Sequence, residues 1–350
     1  LRVGPTRRLT TPSAAAAVAR SGDTVEIDAG TYSGDVATWT QDDLTLRGVG
    51  GRVRLRADGQ SAQGKAIWVI AGDRTRVQSV EFSGATVPDG NGAGIRQEGA
   101  GLTVVGCRFH HNQDGILTGA NPSSVIKIIR SRFARNGGGD GYTHNIYIGA
   151  VRKFVLKGST IAAANVGHEV KSRARINKIV ANKIFDKRAA ASYSIDLPNG
   201  GRSLIAGNVI AQGPNSPNRA VISYGAEGLT QPSSTLWVVN NTLVNKQPEG
   251  GTYIAAAPGS AVHVWNNLLV GPGDLTAITA VTAGHNRRTT KGFRAPARHD
   301  FRLLSNSPAR DRGVPLAAAH RAKLEWRGPA DFVKRRVSGR PDLGAFEYAA

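Results

Sequence analysis

Residues 154–161 (FVLKGSTI), 177–184 (NKIVANKI) and 203–210 (SLIAGNVI) share one grammar: a short β-branched run, a small residue or asparagine at a fixed place, then a closing apolar residue. Reading outward, the same grammar returns at 102–109 (LTVVGCRF), 126–133 (IKIIRSRF), 236–243 (LWVVNNTL) and 262–269 (VHVWNNLL). The fixed place falls on Cys107, Ser131, Ser159, Asn182, Asn208, Asn241 and Asn267, giving by subtraction steps of 24, 28, 23, 26, 33 and 26 residues. Between these markers lies another strand-like run: GILTG at 115–119, NIYIG at 145–149, HEVKS at 168–172, YSIDL at 193–197, AVISYG at 220–225 and TYIAA at 252–256. Two or more short strands per repeat, with Gly, Asn and Pro turns between them, predict an all-β, single-stranded right-handed parallel β-helix of about ten coils. Stacked amides bond along such an axis, so the marker asparagines are expected to be structural, and Cys107 in the same row buried and inert.

The ends break the repeat. Residues 11–20 (TPSAAAAVAR) favour a short helix, and 316–340 are basic and Ala-rich. The expected layout is a single domain over 1–350, with an N-terminal cap at 1–30, coils over 31–285, and C-terminal coils with an irregular cap over 286–350. Lys and Arg number 45 against 25 Asp and Glu, a formal charge of +20, which predicts polyanionic partners. The charge is spread and no RNP, zinc-finger or helix-turn-helix pattern occurs, so nucleic acid is not expected. No apolar run approaches the roughly 20 residues that span a bilayer, so no membrane insertion is expected. The single cysteine excludes a disulfide framework, and the absence of methionine suggests that a leader or tag has been removed. A secreted or periplasmic monomer is the resulting expectation.

GDTVEIDAGTY at 22–32, the repeated NN strands, and SPARDRG at 307–313 with DLGAFEY at 342–348 together resemble the right-handed parallel β-helix proteins of the pectate-lyase-like superfamily. A narrower stretch, GHEVKSRARINKIVANKIFD at 167–186 followed by YSIDLPNGGRSLIAGNVI at 193–210, is similar to the alginate lyase and chondroitinase B family. That resemblance implies Lys171 as catalytic base. Where the family carries an arginine after the next coil, this chain has Asp196-Leu197-Pro198-Asn199, so the acid has no counterpart there.

Alternation along the strands predicts that Ile146/Ile148, Val170/Ser172 and Ile195/Leu197 point inward. Asn145/Tyr147, Glu169/Lys171/Arg173 and Ser194/Asp196 are then expected outside. Steps of 24 and 25 residues along 146, 170 and 195 put Tyr147, Lys171 and Asp196 in one row, with Asn145, Glu169 and Ser194 beside it. A groove with Lys171, Arg173 and Arg202, with Tyr142, Tyr193 and Tyr224 to stack on sugar rings and Asn145 and Asn199 to bind hydroxyls, suits an acidic polysaccharide. On such a chain β-elimination needs a cation on the uronate carboxylate, a base for C5–H and an acid for the leaving oxygen. Lys171 is the expected base, Arg173 the carboxylate holder, and Tyr147 or a histidine the acid. His144 and His168 share a register with Tyr193 at the strand entrance, as either a structural stack or an acid/base at the groove edge.

Alternatives stay open at this level. If Glu169 or Asp196 pairs tightly with Lys171, the amine stays protonated and Tyr147 or a histidine must be the base. Glu169 and Asp196, about 8 Å apart on a diagonal, could serve an inverting glycoside hydrolase, whose carboxylates lie roughly 6.5–9.5 Å apart; the neighbouring cations argue against it. A uronate epimerase or a non-catalytic glycan-binding protein is also compatible. No cofactor is expected, and Ca²⁺ is not favoured because only Glu169 and Asp196 offer outward carboxylates. Asp140, in NGGGDGYTHN at 136–145, belongs to a lid or a long turn, and His110 and His111 read as surface residues.

Overall fold

The computed structural model describes residues 1–276, 281–328 and 331–349. Its strands coil into two long parallel sheets, of 21 and 10 strands among the described residues. In the smaller sheet Ile116, Ile146, Val170, Ile195, Ile222 and Ile254 stand in register, one per coil, all buried. The molecule is a parallel β-helix, as the repeat predicts.

Two internal ladders explain why unequal repeats stack evenly. The backbone N–H of Cys107 donates to Ser131 Oγ, Ser131 to Ser159 Oγ, Ser159 to Asn182 Oδ1, and so on through Asn208, Asn241, Asn267 and Asn286, at 2.8–3.2 Å. Each marker side chain after Cys107 thus satisfies a buried N–H one coil away, which would otherwise cost about 1–3 kcal/mol. Cys107 lies in this row, and burial pushes its thiol up to about 12. Deeper in the core, Phe82, Phe109 and Phe133 stack face to face at 4.9 and 4.6 Å, and Trp68 meets Phe82 edge-on.

Of the helix-prone stretch at 11–20, only Pro12–Ala16 is helical. Thr11 caps it by accepting from Ala14 N–H, and Ala15 and Ala16 pack into the same core as Val3 and Val25. At the other end a hairpin of Leu324–Gly328 and Asp331–Lys334 lies along the large sheet, with the Phe332 ring under Arg130 and Lys157 at 4.5 and 4.1 Å. Asn240 Nδ2 ties Asp342 O to the same side.

Candidate active site

The outer row of the smaller sheet runs Val69, Arg96, Leu117, Tyr147, Lys171, Asp196, Ser223, Ala255. The three strands Ile146–Ile148, Val170–Ser172 and Ile195–Leu197 therefore bring Tyr147, Lys171 and Asp196 side by side, as their spacing predicts. Arg173 leaves the end of its strand on the same face. Its Nε donates to Tyr147 Oη at 3.0 Å and its Nη1 to Asn199 Oδ1 at 2.7 Å. Lys171 Nζ lies 3.9 Å from Asp196 Oδ2 and 5.6 Å from the Tyr147 ring centre, with the side chain only 14% exposed.

Sequence reasoning missed one member. Glu227 Oε2 sits 2.6 Å from Arg173 Nη1 and Oε1 3.2 Å from Lys171 Nζ, so one carboxylate bridges both cations. It arrives on residues 225–234, which fold back over the preceding coil: Gly225 N–H donates to Leu197 O, Glu227 N–H to Pro198 O, and Gln231 Nε2 to Arg173 O. The available signal was the 33-residue step between Asn208 and Asn241, the longest of the series. Arg173, first, and Lys171 hold the Glu227 carboxyl below its ordinary range. Burial, by contrast, pushes Asp196 up to about 6, with the Ser223 hydroxyl and then Lys171 pulling it back.

The two histidines form a stack. His144 and His168 rings lie 4.7 Å apart and nearly parallel, and Tyr193 continues the stack at 5.2 Å. His144 Nδ1 accepts from His168 N–H and His168 Nδ1 from Tyr193 N–H, which assigns the proton of each neutral ring to Nε2. His168 Nε2 faces Asp196 Oδ2 at 3.5 Å. Burial, followed by the nearby Lys171, drives His168 down to about 3, and burial followed by His168 drives His144 well down too. Gly167 makes room for the stack: a Cβ there would run into the Thr143 carbonyl.

Several expected groove residues lie elsewhere. Asn145 and Glu169 are fully buried inside the corner, not outside it. A further ladder, of buried amides, explains why. Asn112 and Asn136 bond from coil to coil, and the next place in register falls on Ala164, which has no amide to offer. Asn145 Oδ1 therefore accepts from Asn136, Asn145 Nδ2 donates to Glu169 Oε2 at 2.5 Å, and Glu169 Oε1 accepts from Ala164 N–H. Glu169 is the acceptor that ends the ladder, so the Glu169–Asp196 pair of an inverting hydrolase does not form on the outer face. Ser194 is likewise buried. Tyr224 pairs with Leu197, points into the core and donates to Gly201 O, so it is not a sugar platform. Arg202 begins the Arg202–Ala206 strand of the large sheet and lies off the row. Tyr142 is 83% exposed on the loop before His144, where Asp140 Oδ1 gathers Tyr142 N–H, Thr143 N–H and Thr143 Oγ and so shapes a turn. Among the described residues no three His, Cys, Asp or Glu side chains are grouped to hold a metal ion, and no helix is long and apolar enough to cross a membrane.

The buried carboxyls have a consequence for stability. Burial raises Glu169 to about 8 and Asp114 and Asp186 to about 7. A raised carboxyl binds its proton more tightly in the folded state, so the stability it contributes is complete at low pH and is lost as pH rises through the folded value. His144 and His168, held down, act oppositely, but only below the ordinary histidine value of about 6.5. Thermal unfolding is therefore expected to shift to lower temperature between about pH 6.5 and 8, by on the order of a few kcal/mol in stability. A flat or rising profile over that range, read by circular dichroism, would contradict the assignment.

No family model and no curated protein sequence matches the chain. Among solved structures it is similar to the pectate lyase Pel9A, with TM-score 0.70 and 15% identity over 100% of this chain and 97% of that one. The alginate lyase from Paenibacillus sp. strain FPU-7 superposes at TM-score 0.47 with 14% identity, over 82% of this chain and 99% of that one. A pectin methylesterase superposes at TM-score 0.40 with 10% identity, over 87% and 92%. The first of these, spanning both chains almost end to end, establishes the architecture: the chain is a parallel β-helix with the pectate-lyase-like fold.

Proposed function

We propose that the protein is a polysaccharide lyase that cleaves a uronate-containing chain by β-elimination on the outer face of the smaller sheet. The observation that carries this reading is the single carboxylate held between Lys171 and Arg173, with a phenol hydrogen-bonded to the same arginine. Glu227 stands where a uronate carboxylate is to bind, and the substrate takes its place. Arg173 then neutralises the sugar carboxylate, which makes C5–H acidic. Lys171, beside Tyr147 in the same row, accepts the C5 proton as the free amine. The C–H electron pair becomes the C4–C5 double bond as the C4–O bond breaks, and Tyr147 supplies the proton to the departing oxygen. Neither histidine serves as base, because in each ring Nδ1 is engaged by a backbone N–H and Nε2 already carries a proton.

Ultraviolet absorbance during incubation with polygalacturonate, alginate, glucuronan and glycosaminoglycans tests this directly, since elimination leaves a conjugated double bond. A rise with one of them is expected. New reducing ends without absorbance would overturn elimination. Glu227→Gln is expected to lower KM by about two- to tenfold, because exposed ion pairs of about 0.2–1 kcal/mol each no longer compete with the substrate. An unchanged or higher KM would show that the substrate does not displace this carboxylate.

A further inference from the structure

At the corner that leads into the smaller sheet, one left-handed residue recurs in each coil: His111, Arg135, Ala163 and Lys187, with φ of 55–59°. The strands just before them are in register, His110 with Ala134, Ala162 and Phe185, so His111, Arg135 and Ala163 stack along the axis, with Lys187 one residue beyond the stacked position, after Asp186. With Arg188 they line a cleft of about 770 Å³. Coils lie about 4.8 Å apart, so Arg135 and Lys187, two coils apart, stand about 10 Å from one another.

The cleft carries no counter-charge of its own. None of its lining residues is acidic, and among the described residues Arg135, Lys187 and Arg188 have no carboxylate partner. Other cations do find a carboxylate: Arg52, Arg54, Arg108 and His110 surround Glu81 at 3.5–3.8 Å, and Arg74 holds Asp43. Lys183 and Lys246 add to the positive field at this corner, and burial with those lysines and Lys187 pushes His299 down to about 4. Like charges gathered in one cleft repel one another unless an anion fills it. Its position is equally specific. The lining segments around Asn165 and Arg188 continue directly into the Val170–Ser172 and Ile195–Leu197 strands that carry Lys171 and Asp196.

We infer that this cleft is a second binding site for an acidic polysaccharide, gripping the chain by its carboxylates at the entrance edge of the strands that carry Lys171 and Asp196. The inference rests on the lyase reading for the substrate class and adds a site that reading does not use. A long acidic chain engages both places, whereas a short oligosaccharide engages one.

The test is calorimetric binding of the full chain to polygalacturonate and alginate, each as long polymer and as trisaccharide, with dextran as the neutral control. Arg135, Lys187 and Arg188 are all exposed, so the combined Arg135→Gln, Lys187→Gln, Arg188→Gln variant should fold, which circular dichroism verifies. It is expected to lose at least about tenfold in affinity for long polymer and far less for the trisaccharide, with a weaker dependence on salt. A control with Arg8, Arg20 and Arg321 changed to Gln removes the same charge elsewhere. Equal losses in the two triple variants, or none in the first, would overturn the cleft while leaving the lyase reading intact. Absence of binding and of double-bond formation in the wild type with both polymers would overturn both.

Discussion

Lys171→Ala is expected to remove double-bond formation almost completely, lowering kcat by about 10²–10⁴-fold, the usual contribution of a positioned general base. Lys171 occupies the centre of the outer row, between Tyr147 and Asp196, and is the group there that can exchange a proton as an amine. Arg173 cannot substitute, since a guanidinium keeps its proton throughout the accessible range. Lys171→Arg should therefore be as inactive as the alanine variant although it preserves charge and most of the stem. Stability should change little, because the lysine faces outward and its partner Glu227 is 44% exposed. Normal thermal unfolding with no absorbance change is the expected pair of results. Full activity in Lys171→Ala would place the base elsewhere and defeat the proposed mechanism.

The fold was legible because its physics is periodic. β-branched runs with a marker every 23–33 residues identify coils, and the 146, 170, 195 spacing places Tyr147, Lys171 and Asp196 together without any tertiary information. Two kinds of residue were misplaced for different reasons. Glu169 and Asn145 sit one position before a strand's first inward residue, where the chain is still turning the corner; alternation does not govern there, and the missing amide at Ala164 draws both side chains inside. Tyr224, two residues beyond the inward Ile222, was assignable to the core by alternation itself; its chemistry as a sugar platform obscured its register. Glu227 depends on a loop folding across coils, which local pattern cannot encode, although an unusually long step marks where such a loop must lie. The same long-range step produces the carboxylate bridge on which the functional proposal stands.

Arg173→Ala should be nearly as damaging, with kcat/KM lower by about 10²–10³-fold, comparable to the loss of one preorganised donor at a developing anion. The guanidinium divides its donors among Tyr147 Oη, Asn199 Oδ1 and the bridging carboxylate, so it fixes the phenol and presents a fork to an incoming uronate. Elimination concentrates negative charge on that carboxylate as C5–H is removed, so the contact strengthens toward the transition state and both kcat and KM should suffer. Lysine at this position restores a charge without the planar fork and should recover about tenfold at most. Asn199→Ala supplies the internal comparison. It loosens one bond to the guanidinium and leaves the charge in place, so its effect should fall mainly on KM and stay within about tenfold, the range of a single charge-assisted hydrogen bond. If Arg173→Ala raised KM alone and left kcat intact, the arginine would be binding substrate and transition state equally, and the acidification of C5–H would have to come from another group.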